Sequence, residues 1–431
     1  MSKPVFIISS PIDTYSGYGA RSRDIVKAII SLDQYDVKLL PQRWGDTPGG
    51  FINDHDDWKF LNPFLINKVD KQPDIWMQIT IPNEFNPIGK YNIGCTAGIE
   101  STGCDAAWVE GINRMNMTWT SSKHSRNVFQ NLKFEQRDKN TNQIVGTLKC
   151  EKPIHVVFEG VNLDLYKHLP SNEVKLDLED IKEKFNYLFV GHWMNGDIGH
   201  DRKNVGLTLK YFIDAFKNKP DQPGLILKAS QGRNSYFGRE EILKRIRKIK
   251  NTYPFETKFP PIYLLNGNLT DKDMNELYNH PKVKCMISFT KGEGYGRPLA
   301  EASCSGKLVI APKWSGHVDF LDPKFCILLT GQLTEVHDSA VWENVIDKGS
   351  SWFTVDYNVA ATMIRNYYNN QKAYKSRGHK QSKHIQENFS LESMKNDFKE
   401  LVKKEFPKTA KQIDIKLPDL PSMELPTLRS S

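Results

Sequence analysis

Short apolar runs alternate along this chain with longer stretches in which apolar positions return every third or fourth residue. Val5 to Ile8, Asp36 to Leu40, Ile75 to Ile79, Tyr91 to Glu100, Met117 to Thr120 and Ile154 to Phe158 have the length and content of strands. Between them, a helix from about Ala20 to Leu32 places Ile25, Ala28, Ile29 and Leu32 on one face, and Trp108 to Asn113 reads as a short helix. Ser121 and Ser122 suit a cap for the next one. Residues 133–152 are polar and turn-rich, which predicts a β-hairpin excursion. A second series follows: strands at Tyr187 to Gly191, Leu225 to Ala229, Ile262 to Leu265, Val283 to Phe289 and Leu308 to Ala311. Its helices are expected at Val205 to Phe216, 239–250 and Asp273 to Tyr278. The alternation predicts an α/β chain built on parallel sheets. A long amphipathic region from Val359 to Phe389 ends before Ser390, and residues 407–431, with four prolines and no periodicity, predict an extended or disordered tail.

Length changes this picture first, since 431 residues can bury more than one core and favour two domains. No apolar run is long enough to span a membrane, and the start of the chain lacks the layout of a signal peptide. The six cysteines, at 95, 104, 150, 285, 304 and 326, are scattered without a CxxC pair and read as reduced thiols of a cytoplasmic protein. A net charge of +8 favours an acidic partner: nucleotide phosphates, nucleic acid or peripheral contact with an anionic surface. The helix at 239–250 carries Lys244, Arg245, Arg247, Lys248 and Lys250 opposite its apolar side, which suits either such a surface or a solvated face. The acidic stretch Asn53 to Trp58 is open to two readings, a metal site or a solvated loop.

The chemistry concentrates in Gly292-Glu293-Gly294-Tyr295-Gly296-Arg297-Pro298, a turn between a buried strand and an apolar helix. Pro298 fits a first helical position, and the glycines let the backbone come close to a ligand. Helix-start amides beside Arg297 would receive phosphate. Glu293, before the helix, and Glu301, about one turn into it, add acceptors for hydroxyls, and the combination suits a nucleotide sugar. First-turn acidic residues and glycine turns also occur for purely structural reasons. Near the start of the chain, Gly17 and Gly19 begin a dinucleotide fingerprint, but Ser22 holds the third glycine position, so a nicotinamide cofactor is not indicated.

The stretch EGYGRPLAEA, with Glu293 and Glu301 at its functional positions and Gly306 after it, resembles the signature of GT4-type retaining glycosyltransferases. The resemblance covers most of residues 4–405 and is strongest over 262–306. It implies the GT-B fold: two Rossmann-like domains facing across a cleft, with a C-terminal helix returning to the first. The implied division is residues 1–159 plus the returning helix at about 388–405, then 160–387, with the hinge at Glu159 to Tyr166. Ser16, Gly17 and Gly19 match the family's glycine turn lining the cleft. Gly98 to Thr102 and the Trp108 to Asn113 segment resemble a branch in which Glu100 faces the reacting sugar or the acceptor. Lys203 matches a diphosphate-binding lysine. His192 stands where the family has an arginine, and Arg202 can substitute through a bidentate guanidinium. Gly267 and Leu269 match the turn that reads the nucleobase with backbone groups. Asp319 stands nearest the position of a further family glutamate.

The implied reaction moves a sugar from a UDP- or GDP-sugar with retention at the anomeric carbon. His192, Gly294, Tyr295, Gly296, Arg297 and Glu301 join Gly17, Gly19, Gly267 and Leu269 as donor-binding residues, and Glu293, Lys203, Arg202 and Glu100 are the catalytic set. No metal is expected, although His192, Asp197, His200 and Asp201 form an alternative metal loop. The acceptor is open between a glycan, a lipid-linked sugar and modified nucleic acid. Two rival functions stand beside this one: transfer onto a polyanion such as modified DNA bases, and a non-catalytic nucleotide-sugar binder.

Overall fold

A computed structural model describes residues 3–406 except 139, 195, 197, 232–234 and 344. The expected tail at 407–431 lies outside the described residues. The first half comprises β1 (Val5–Ser10), α1 (Gly17–Ser31), β2 (Asp36–Pro41), α2 (Phe51–Asp54), β3 (Ile75–Ile79), β4 (Tyr91–Thr96), α3 (Ala106–Arg114), β5 (Met117–Thr120), α4 (Lys123–Asn131), β6 (Lys133–Arg137), β7 (Ile144–Lys149) and β8 (Ile154–Val156). Six of these strands make one parallel sheet in the order β2-β1-β3-β4-β5-β8, while β6 and β7 pair as the expected hairpin.

The second half comprises β9 (Asn186–His192), α5 (Val205–Phe216), β10 (Gly224–Ser230), α6 (Tyr236–Lys250), β11 (Ile262–Leu265), α7 (Asp271–Asn279), β12 (Val283–Ile287), α8 (Arg297–Ser303), β13 (Leu308–Pro312) and β14 (Ile327–Leu329). These strands form a second parallel sheet, ordered β11-β10-β9-β12-β13-β14. The chain closes with a hairpin, β15 (Gly331–Glu335) and β16 (Ser351–Val355), then α9 (Tyr357–Asn369), α10 (Gln371–Asn388) and α11 (Leu391–Glu405). Two Rossmann-like α/β lobes result, as the sequence predicts.

Helix α11 returns to the first lobe. Ser390 caps it, its hydroxyl accepting from the Ser393 amide. The chain crosses between lobes twice side by side: the Val161 amide donates to the Phe389 carbonyl at 2.9 Å and the Leu391 amide to the Val161 carbonyl at 2.7 Å. Met394, Phe398, Val402 and Phe406 are buried in the first-lobe core, with the Phe398 ring edge-on to Trp119 at 5.2 Å. Arg21, fully buried on α1, donates to the carbonyls of Val157 and Phe158 and touches the Met394 sulfur. That guanidinium satisfies carbonyls where β8 leaves the sheet and locks the returning helix beside them.

Several elements differ from the sequence reading, β14 among them, which it did not contain. Helix α1 starts at Gly17 rather than Ala20, because the Ser16 hydroxyl accepts the Gly19 amide and turns the glycine segment into a capped first turn. The Asn53 to Trp58 stretch is helical on either side of His55, in α2 and a 3₁₀ run at Asp56–Phe64, and two of its carboxylates take protein partners: Asp54 accepts from the Tyr15 hydroxyl and Asp56 pairs with Lys59. The 359–389 region is two helices broken at Asn370, whose φ and ψ of −129° and 36° leave the helical basin. The β15–β16 hairpin was not anticipated, since β15 is almost wholly exposed and lacks an apolar alternation.

Replacing Phe398 with alanine is expected to lower unfolding stability by about 3 kcal/mol, the cost of a large cavity under a returning element. Urea unfolding of both proteins checks this; a loss below about 1 kcal/mol would mean that α11 contributes little to the first-lobe core.

Candidate active site

The C-terminal ends of β9, β10, β12 and β13 carry the loops that build the site. After β9, the chain returns to α5 through Asp201, Arg202, Lys203 and Asn204. Asp201 accepts the Val205 amide at the helix start, and Asn204, in the left-handed region at φ 54°, reaches from its amide group to the Phe289 carbonyl at 3.0 Å. The Lys291 amide donates to the Arg202 carbonyl at 2.8 Å. These bonds stitch the loop before α5 to the loop after β12.

The result is a cluster of four charges. Lys203 Nζ lies 2.6 and 2.8 Å from the two Glu293 carboxylate oxygens. Arg202 Nη1 lies 3.3 Å from Glu293 Oε2 and 3.5 Å from Glu100 Oε1, and donates to the Gly292 carbonyl at 3.0 Å. Glu100 belongs to the first lobe, so the cluster crosses between lobes. Burial pushes the Glu293 carboxyl up, but Lys203 and Arg202 together outweigh it and bring its pKa down to about 2. Burial lowers the Lys203 pKa despite that pairing. His192, at the exposed end of β9, bonds Ser230 Oγ at 2.8 Å; the protein packed around it, then Lys203, Arg202 and Lys228, hold its pKa down to about 4, so the imidazole is neutral at pH 7.

Gly292 and Gly294 of the 292–296 turn face the opposite lobe rather than open space. A Cβ on Gly292 would stand 1.7 Å from the Glu100 carbonyl oxygen, and one on Gly294 would stand 2.3 Å from that of Ala97. At these two positions glycine is needed for the close approach of first-lobe backbone. Gly296, at φ 103°, requires the left-handed conformation that glycine adopts freely. Around this seam, Ser121 Oγ donates to the Gly294 carbonyl, the Lys123 amide donates to Asp319 at 2.7 Å, and Thr102 and Ser351 exchange two bonds at 2.7 and 2.8 Å.

Arg297 is aimed elsewhere than at the turn. Its guanidinium meets Asp24 at 2.7 Å, Glu301 at 3.4 Å and Glu159 at 3.6 Å, so three carboxylates, two from the first half of the chain, enclose it. Helix α8 spans only seven residues, which leaves little dipole at its start. Burial raises the Glu301 pKa to about 7, against the opposing effect of Arg297. Nearby, the Tyr278 hydroxyl sits 3.5 Å from Glu301, and the Tyr166 hydroxyl donates to Asp271 at 3.0 Å.

The structure therefore gathers Glu100, Arg202, Lys203 and Glu293 into one cluster and Arg297 with Glu301 into a second. Gly17 is open, within the first turn of α1, and the Tyr18 hydroxyl beside it accepts from the Ala97 amide at the seam; Gly19 is packed against Thr14. The Gly267 carbonyl accepts from Lys228 at 2.7 Å, on the β11 side of the sheet, and Leu269 is part-buried near it. Tyr295 is buried against Phe320, with no partner for its hydroxyl among the described residues. Sequence reasoning missed Asp24, Tyr166 and Tyr278. It also missed His317, fully buried, which bonds the Pro312 carbonyl at 2.7 Å and lies beside Glu293 and Gly296. No sequence spacing links these positions. Among the described residues, no three His, Cys, Asp or Glu side chains converge as a metal site; Asp197 of the alternative metal loop lies outside the described residues, and the His200 ring stacks on His337 at 3.9 Å.

The Glu301 environment sets a pH dependence. Its folded pKa lies above the unfolded carboxyl value, so the fold holds the extra proton between about pH 4.5 and 7 and loses stability as pH rises through that window. Glu301→Gln should therefore gain stability relative to wild type from pH 5 to pH 8, measured by denaturant unfolding; a constant difference would contradict the burial of that charge.

No family model matches this sequence, and no curated protein matches it. Solved structures do share its fold. A glycosyltransferase from Rickettsia africae ESF-5 superposes with a TM-score of 0.62 at 14% identity, covering 94% of this chain and 98% of that one. Sucrose-phosphate synthase from Thermosynechococcus elongatus gives 0.60 at 11% identity over 93% and 98%. The Anabaena protein HepE, in complex with UDP and glucose, gives 0.59 at 12% identity over 93% and 99%. At such identities the likeness shows the fold alone, and the fold is GT-B: two Rossmann-like lobes, each on a six-stranded parallel sheet.

Proposed function

We propose that this chain is a GT4-type retaining glycosyltransferase that moves a sugar from a nucleotide-sugar donor to an acceptor hydroxyl. The observation that carries the reading is the buried Lys203–Glu293 pair with Arg202 and Glu100 at the meeting of the two lobes. Two cations held at the loop ends of a parallel sheet are a receptor for a diphosphate, and Glu293 competes for the same positive field. When the diphosphate arrives, Glu293 is displaced toward the sugar hydroxyls, which it orients as an acceptor. Glu301 takes the ribose hydroxyls, and backbone groups at Gly267 and Leu269 take the base. The amides of the 292–298 turn and the open Gly17 turn complete the donor contacts. His192, neutral, contributes a hydrogen bond where the family places a charge.

In the reaction, the acceptor oxygen bonds the anomeric carbon from the face the diphosphate leaves. The bond from that carbon to the phosphate oxygen breaks, and the departing phosphate takes the acceptor proton. Lys203 and Arg202 neutralise the charge that develops on it, so the step needs no metal from the protein. UDP-sugars are the first donors to test, with GDP-sugars second, because HepE shares the fold and was solved with UDP. The working lobes are residues 1–159 with the returning helix, and 160–387, hinged at Glu159 to Tyr166. Among the described residues no helix is long and apolar enough to cross a membrane. The cysteine usage supports a cytoplasmic reaction.

A thermal-shift screen of UDP- and GDP-sugars is expected to show stabilisation by one donor, and a transfer or hydrolysis assay with it should register turnover. Lys203→Ala should lower that turnover by at least a hundredfold with its circular dichroism unchanged; an unaltered rate removes Lys203 from the mechanism. EDTA should leave wild-type turnover in place, and a chelator-dead protein would contradict a metal-free step. Donor binding without any turnover would favour the non-catalytic reading, to which the neutral His192 lends itself.

A further inference from the structure

The outward face of α6 plays no part in the donor site. Gly238, Ile242, Ile246 and Ile249 turn inward and are buried. Tyr236 and Phe237 are left outward at 71% and 84% exposure, with Lys244, Arg247 and Lys248 exposed farther along the helix. The two rings meet nearly perpendicular, centroids 6.0 Å apart. Beside them lies an open recess of about 620 Å³, whose lining includes Gln231, Phe237, Glu240, Glu241, Lys244 and Arg247. Its volume falls in the range of small-molecule sites, roughly 300–1,000 Å³. Gln231 directly follows β10, so the recess lies at the same end of the sheet as His192.

The charges around it are unequal. Glu240 pairs with Arg239 at 2.8 Å, and Glu241 with Arg245 at 3.4 Å and more loosely with Lys244 at 3.9 Å, whereas among the described residues no ion pair engages Arg247 or Lys248. A cationic row beside exposed rings attracts a polyanion that carries flat, stackable groups. A lipid surface fits less well: a helix lying in a membrane interface must offer an apolar face, and the α6 isoleucines are already packed in the second-lobe core.

We propose that this face binds an unpaired strand of nucleic acid. One nucleotide enters the recess with its base against Phe237 and Tyr236, flanking phosphates lie along Lys244, Arg247 and Lys248, and the Glu240 carboxylate accepts from a base amino or sugar hydroxyl group. The inference does not rest on sugar transfer, since binding here is read without a donor.

The test is fluorescence anisotropy of the full chain with a labelled twelve-nucleotide single strand of mixed sequence, at several salt concentrations. Wild type should bind with an affinity that falls as salt rises. Phe237→Ala should weaken binding about tenfold, and the triple variant K244A/R247A/K248A should flatten the salt dependence by about two units of slope, as loss of three phosphate contacts requires. Circular dichroism confirms that these exposed substitutions leave the fold intact. Absence of binding, or binding unaltered in both variants, overturns the proposal. So does competition by ring-free inorganic polyphosphate that is as strong as by the unlabelled strand, or sedimentation with phosphatidylserine vesicles that depends on these residues while the oligonucleotide does not bind.

Discussion

Glu293 holds a full negative charge with its side chain 9% exposed, and everything around it follows from the need to pair that charge. A buried carboxylate without a cation would protonate or disrupt the fold. Lys203 meets both of its oxygens, and Arg202 shares itself between Glu293 and Glu100. Such pairing tolerates little positional error, so the loops that carry it are fixed by backbone. The Glu293 amide donates to Ser315 Oγ at 2.9 Å, its carbonyl accepts the Gly316 amide at 2.9 Å, and Asn204 pins the loop before α5. Glycines at 292, 294 and 316 then permit backbone to lie directly on backbone.

The two lobes are joined in three ways that differ in chemistry. Paired backbone at Val161 and Leu391 forms the covalent crossing, where Gly160 leaves room for Leu391. Neutral hydrogen bonds between Thr102 and Ser351 join the lobes through the β15–β16 hairpin. Between these, the charge clusters of Glu293 and Arg297 each take carboxylates from the first half of the chain. A ligand that enters among those charges must exchange for carboxylates already there, which couples binding at the loop ends to the fit between lobes.

Most of the architecture was legible because period reports burial. Strands β9, β10, β12 and β13, buried along most of their length, and the α5 pattern of Leu209, Phe212 and Ile213 read directly as core. Glu100, Arg202, Lys203 and Glu293 were each named from the sequence, and the structure brings them within 3.5 Å of one another in a chain of contacts. What the sequence did not carry was of two kinds. Local chemistry misled where glycine served as a breaker in the reading but as the first turn of a capped helix in the fold, at Gly17 and Gly19. Long-range pairing was invisible: Arg297, read as a phosphate ligand from its place beside a helix start, is met by Glu301 one helical turn on and also by Asp24 and Glu159, whose distance along the chain carries no periodic signal. The reason for the glycines in the turn was only half legible, since sequence cannot tell close approach of a ligand from close approach of another backbone.

The central claim is that Glu293 stands in for a diphosphate at Lys203 and Arg202, and calorimetric titration of UDP and GDP into wild type and Glu293→Gln tests it most directly. The nucleotide that binds wild type should bind Glu293→Gln more tightly, because the internal competitor has lost its charge while the cations remain. Equal or weaker binding by the variant, or no binding of either nucleotide to either protein, would contradict the account.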